Sequence, residues 1–71
     1  MNAPRQILFV DRRRGTRESR LASEVPAHIR EVVVDGEVVP IVQIVIVPRG
    51  DEVVIESYDA GGRCLQRTHG R

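Results

Sequence analysis

The dipeptide Asp35-Gly36 constrains this chain more than any other feature. It separates Ile29-Arg30-Glu31-Val32-Val33-Val34 from the longer run Glu37 to Val47, and it is the pair a two-residue type I′ hairpin turn prefers, because both positions need a positive φ. A second signal, Pro48-Arg49-Gly50, ends the long run. Pro48 presets one turn position and Gly50 can take the left-handed one, so Glu52 to Tyr58 reads as the next strand. Asp59-Ala60-Gly61-Gly62 then leads into a last strand, Gly62 to Thr68. The expected fold is mainly β: a small antiparallel meander of four to five strands, strongly bent or barrel-like, with at most one short helix.

Placing Asp35 and Gly36 in the turn fixes a register in which Val32 faces Val39 and Arg30 faces Ile41. Side chains alternate along each strand. One face then carries Val32, Val34, Val39, Ile41, Val45 and Val47, joined by Val53 and Ile55 if Pro48 to Gly50 form a three-residue loop. The other carries Ile29, Val33, Val38, Val42, Ile44, Ile46 and Val54. Pro40 falls opposite Glu31 and blocks pairing on the outer edge, so an 11-residue strand that pairs one neighbour early and the other late must bend.

Both faces of this expected sheet are apolar, whereas antiparallel sheets commonly wet one face. Leaving seven β-branched residues in water forfeits several kcal/mol at roughly 25 cal/mol per Å², comparable with the whole stability of a small domain. The expectation is a homodimer or higher oligomer, with Ile29, Val33, Val38, Val42, Ile44 and Ile46 at the interface. A chain of 71 residues is one domain, of the size at which oligomerisation often supplements a marginal core. It divides into a basic N-terminal segment, residues 1–28, the meander, 29–68, and a frayed tail, 69–71.

The net charge is only +1, but it is unevenly placed. All 11 basic residues are Arg; they gather before Ser23 and after Asp59, and the middle is acidic. The basic stretch runs from Arg12 to Arg20. Arg12, Arg13, Arg14, Arg17 and Arg20 are candidate contacts for the phosphates of DNA or RNA, with Arg5 and the tail residues Arg63, Arg67 and Arg71 as further candidates, since clustered guanidinium groups give electrostatic affinity and fork onto phosphate oxygens. No aromatic residue interleaves with them, which argues against base stacking. The other reading of the stretch is a solvated turn paired with the protein's own acids. Thr16 is placed to cap a short helix from Arg17 to about Glu24, ended by Pro26.

The remaining polar residues do not assemble a reactive constellation. His28 and His69 lack a second ligand at metal spacing, and Cys64 lacks a base and reads as a buried or half-buried apolar filler. Gly61-Gly62 is not followed by the Lys or Ser/Thr of a phosphate cradle, and no cofactor is expected. A lone Cys suits a reducing cytoplasm, and neither a membrane-spanning run nor the apolar core of a signal peptide is evident.

Two short resemblances bear on this reading. Ile7-Leu8-Phe9-Val10-Asp11 resembles the first strand of a response-regulator receiver domain, or the apolar run ending in Asp of a nucleotide-binding site, but over five residues only, with no second acid after Asp11 and no phosphate-binding glycine loop. Pro48-Arg49-Gly50-Asp51-Glu52-Val53-Val54-Ile55-Glu56 with Gly61-Gly62-Arg63-Cys64-Leu65, and separately Val25 to Glu31, resemble pieces of the swapped-hairpin transition-state regulators. That resemblance implies an intertwined dimer binding DNA through Arg, although about 20 residues of strand separate pieces that the family keeps close. Function is therefore expected to be non-enzymatic: an oligomeric module whose Arg segment contacts nucleic acid. The alternative is a protein-interaction module, a small inhibitor or adaptor, working through a strand edge or the second apolar face.

Overall fold

The protein is described here from a computed structural model that defines residues 5–70. It is mainly β, with seven strands: β1 (Gln6–Asp11), β2 (Thr16–Leu21), β3 (Glu31–Val34), β4 (Glu37–Pro40), β5 (Gln43–Arg49), β6 (Glu52–Tyr58) and β7 (Cys64–Gly70). A 3-10 turn at Ala22–Glu24 and a single helical turn, α1 (Ala27–Arg30), join β2 to β3. Five strands form one sheet in the order β2-β1-β5-β6-β7, and β3 and β4 form a separate two-stranded sheet. The larger sheet is open, with β2 and β7 as edges, and does not close into a barrel.

The Asp35–Gly36 turn forms as its residues dictate. Asp35 has φ 51° and Gly36 φ 81°, and Val32 pairs with Val39, Val33 with Val38 and Glu31 with Pro40. The strand after it is not continuous. It ends at Pro40, Ile41 donates its N–H to the Arg30 carbonyl at 2.8 Å, and a new strand starts at Gln43 in the other sheet. Val42 seeds that strand by accepting from Leu8 N–H and donating to the Tyr58 carbonyl. The central pairing, β1 with β5, is parallel, so the sheet is mixed rather than a pure antiparallel meander.

Three other expectations are corrected. The segment from Arg17 to Glu24 is not a helix: Gly15, at φ 68°, closes a four-residue turn after Asp11, and β2 returns alongside β1 with Asp11 opposite Thr16. Pairing satisfies its backbone along a whole strand, whereas a helix there offers only Leu21, Ala22 and Val25 to pack. Ile29 lies in α1 rather than in a strand. The second hairpin turn is one residue shorter than expected: Pro48 and Arg49 stay in β5, opposite Val53 and Glu52, and Gly50-Asp51 make the turn. With Pro48 to Gly50 as the loop Val47 would face Asp51, whereas it faces Val54, a shift of three, and any odd shift moves a whole strand's side chains to the other face. Ile55 accordingly sits beside Ile46, and Val54 beside Val47.

Pro48 is tolerated within the strand for a positional reason. The Ile46 carbonyl accepts from Arg12 N–H on the β1 side, and residues two apart point their backbone groups the same way. Pro48 thus turns its missing N–H to the side that β1 has just left. At the far edge, β7 runs to Gly70, so His69 and Gly70 belong to a paired strand, not to a frayed tail; Arg71 lies outside the described residues. Leu65 is an extra residue between the partners of Tyr58 and Ser57, a bulge that lets it pack on the core.

That core occupies one face of the large sheet, called here the inner face. Ile7 and Ile44 from the sheet meet Ala22, Val25 and Ile41, with Phe9, Ile29, Val32 and Leu65 packed against them. Ile7 and Ile41 are the most deeply buried, at 0% and 1% exposure. Arg5 ties the layers together by donating to the carbonyls of Ile41 (2.6 Å) and Arg30 (3.3 Å), which fixes the base of the β3–β4 hairpin at the start of β1. The opposite face, called here the open face, carries Leu8, Val10, Val45, Val47 and Val54.

Candidate nucleic-acid interface

The five candidate Arg residues do not form one patch, because strand alternation sends them to different faces. Arg13 folds back on Asp11 in a two-pronged pair, its Nε and Nη2 at 3.1 and 3.0 Å from the two carboxylate oxygens, and its backbone N–H bonds the same carboxylate. Those bonds hold the Asp11 carboxyl below its usual range. Arg20, opposite Ile7, lies on the inner face, 3.4 Å from Glu18 and over the Phe9 ring at 6.0 Å. Arg14 joins it there, lining a cavity.

Arg12 and Arg17 go the other way. Arg17 pairs with Val10, which pairs with Val45, which pairs with Glu56, which pairs with Arg67, so one row crosses all five strands of the open face. Arg12, beyond the end of β1, lies close enough to Glu56 to help stabilise its charge. Arg12 and Arg17 are exposed, and neither forms an ion pair among the described residues. Arg49 and His69 extend the open face, with His69 at 3.8 Å from Glu52.

Glu56 is the centre of this surface. It accepts from the Tyr58 hydroxyl at 2.9 Å and from Arg67, whose Nη2 lies at 2.8 Å. The Tyr58 bond first, then the Arg67 bond, holds the carboxyl below its ordinary value, and the same carboxylate pushes the Tyr58 phenol up. Arg67 is thereby paired across the strands, with its side chain 55% exposed. Val45 and Val54 beneath the row are buried, at 6% and 3% exposure. Arg67 is among the tail Arg residues that the sequence offers as further contacts, while Arg49 is not legible there, because only the cross-strand register places it on this face.

The inner face is incompletely covered. Two cavities of about 350 and 380 Å³ open on it, sharing Phe9, Ile29 and Ile46 as their common wall. The first is rimmed by Arg14, Thr16, Glu18, Arg20 and Glu24; the second is mostly apolar, with Ile44 and Ile55 in its lining and Ser57, Gln66 and Thr68 alongside.

The residues expected at an oligomer interface are distributed in the same divided way. Ile44 is buried within the chain, Ile29 and Ile46 line both cavities, and Val42 is half-buried between sheets. Val33 and Val38, 68% and 60% exposed, face each other on the outer side of the β3–β4 hairpin. Cys64 is exposed in β7 and is not a core filler. Among the described residues no three His, Cys, Asp or Glu side chains converge as a metal site, and no helix is long and apolar enough to cross a membrane. Comparison with known proteins returns no matching family model, no matching characterised protein and no matching solved structure.

Proposed function

We propose that this protein is a small binding module whose open sheet face contacts nucleic acid through its phosphates. The observation that carries the reading is the placement of Arg12 and Arg17 on one face, both exposed and unpaired among the described residues, with Arg67, already paired with Glu56, at the far end of the same row. Guanidinium groups held apart on a sheet match phosphates along a backbone, and each phosphate neutralised releases counterions. Tyr58 is committed to Glu56. The face therefore reads charge and spacing rather than stacked bases, which favours a duplex over a single strand.

The test is fluorescence anisotropy of a short labelled DNA duplex titrated with the protein across a salt series. Binding should weaken steeply as salt rises, and Arg12→Ala with Arg17→Ala should reduce the slope of log affinity against log salt by about 2. Arg13→Ala should change little, since that side chain is already committed to Asp11. Wild-type protein that ignores the duplex at roughly 50 mM salt sinks the reading. A second reading, a protein-interaction module, is favoured by the exposed Val33–Val38 pair, and it predicts the same affinity for Arg12→Ala as for wild type in every assay.

A further inference from the structure

The large sheet has two edges, and they differ in how they are guarded. A bulge at Leu65 interrupts β7, and its two basic side chains, Arg67 and His69, would meet only each other across a second β7. β2 has no such defence. Its pairing with β1 is unbroken over six residues, Thr16 to Leu21, without Pro, Gly or bulge, and all but Leu21 are exposed. What this edge offers follows from one hydrogen bond. Ala22 N–H donates to the Arg5 carbonyl, and antiparallel pairs alternate, so Arg20, Glu18 and Thr16 also turn their backbone groups to β1. Leu8 agrees: its N–H goes to the Val42 carbonyl, away from its cross-strand partner Ser19. Arg17, Ser19 and Leu21 therefore turn N–H and C=O outward, where no described strand pairs with them. A row of that kind takes a further strand.

The residues of β2 select a copy of the same strand. Two antiparallel copies related by a two-fold axis pair symmetrically about one residue. Axes at Glu18 and at Ser19 each align five residues of the two strands, and every other choice aligns three or fewer. At Glu18 the axis sets a carboxylate against its own copy. At Ser19 it sets Glu18 against the partner's Arg20, and Arg20 against the partner's Glu18, at the closer, non-hydrogen-bonded spacing. Ser19 then exchanges main-chain bonds with its own copy, and Arg17 with the partner's Leu21. Both charged side chains are accessible, Arg20 at 56% and Glu18 at 62% exposure, and their pair within the chain is a loose one at 3.4 Å.

We propose that the β2 edge pairs with the β2 edge of a second copy, centred on Ser19, with Glu18 of each chain against the partner's Arg20. The axis stands perpendicular to the sheet, so two five-stranded sheets join into one with both open faces on the same side. Arg17 and its copy then lie about 14 Å apart, four residues along and one strand across. That last consequence serves the nucleic-acid reading and rests on it; the contact itself does not.

The test is analytical ultracentrifugation of the 71-residue chain, without DNA, at up to about 100 µM, a range in which micromolar association is visible. Wild type should be dimeric. Ser19→Pro should be monomeric with an unchanged circular dichroism spectrum, because the N–H it removes points away from β1. Charge changes supply the readout specific to this register. Glu18→Arg alone and Arg20→Glu alone should each weaken the dimer at least about tenfold, since each sets like charges opposite one another twice. The two changes together in one chain should restore it, because opposite charges face again. A monomeric wild type overturns the proposal, and so does a dimer that survives Ser19→Pro or a doubly changed chain that stays monomeric. Duplex titration separates the two readings: a monomer that binds the duplex overturns this contact alone, and a dimer that ignores the duplex overturns only the phosphate reading.

Discussion

The β3–β4 and β5–β6 hairpins are built from nearly the same material and meet opposite fates. Both are antiparallel, both are rich in Val and Ile, and both turn through two residues that include a glycine at positive φ. Yet β5 and β6 bury Ile44, Val45 and Val54, while β3 and β4 leave Val33 and Val38 in water. The difference lies in the neighbours. β5 has β1 on one side and β6 on the other, and β6 has β7, whereas β3 and β4 pair only with each other. Burial in a sheet is conferred by flanking strands and a covering layer more than by the strand's own composition. A two-stranded ribbon is marginal alone, which is why α1 and the Arg5 bonds at its base matter.

The largest expected contrast sets the junction of the two hairpins against the exposed ribbon. Ile41 sits between them at 1% exposure, so Ile41→Ala should cost about 2–5 kcal/mol by lost burial and a residual cavity, a large share of a small domain's stability. Val33→Ala should fall within about 0.5 kcal/mol, since the side chain is 68% exposed. Urea unfolding of the two variants checks this. Comparable losses would mean that the ribbon is buried in the working form of the single chain.

The turns sharpen the comparison at intermediate cost. A Cβ at Gly36 or Gly50 meets no atom within 4 Å, so the penalty at either site is conformational only, from φ of 81° and 63°. Placing alanine in that region costs about 1–2 kcal/mol. Gly50→Ala should lower global stability by about that amount, because β5–β6 is integral to the main sheet. Gly36→Ala should instead loosen the ribbon locally, seen as faster amide exchange in β3 and β4 with little change in the unfolding midpoint. Equal global losses would show that ribbon and sheet unfold as one unit.

The parts of this fold that were legible in the sequence are the local ones. Asp35-Gly36 and the alternation around it gave the first hairpin in its correct register, because turn chemistry and strand period act over a few residues. The break at Ile41–Val42 was not legible, since Pro40 explains why β4 ends but nothing local says that Gln43 enters a different sheet beside β1. The parallel β1–β5 pairing depends on residues more than 30 positions apart and leaves no periodic trace. From sequence β2 is open to reading as helix because Thr16-Arg17-Glu18-Ser19-Arg20-Leu21 has almost no apolar pattern of either period. The usable signal was Gly15, placed to end a tight turn after Asp11. For the site, the Arg residues were visible but their faces were not: one strand in place of a helix separates Arg12 and Arg17 from Arg14 and Arg20.

The smallest expected effect concerns the polar bracing that the sheet has and the ribbon lacks. Glu56 is held ionised by Tyr58 and Arg67, so its folded carboxyl titrates below the ordinary 4.5. A depressed carboxyl stabilises the fold wherever the unfolded group would be charged, and that contribution disappears as pH falls through the folded value. Tyr58 has the opposite sign: its phenol is raised above 10.0, so its contribution holds below that pH and is lost as the pH climbs through the raised value. Glu56→Gln should therefore be slightly less stable than wild type near pH 7, with the gap closing on the acid side below 4.5 and again above 10.0. Thermal unfolding of both proteins across pH measures the gap directly. Because the pair is compared at each pH, the titration of the other carboxylates largely cancels. A gap that stays flat across the acid limb would mean that neither Tyr58 nor Arg67 holds the Glu56 charge in solution. The open face would then present Arg67 free of its acid, as a third cation beside Arg12 and Arg17.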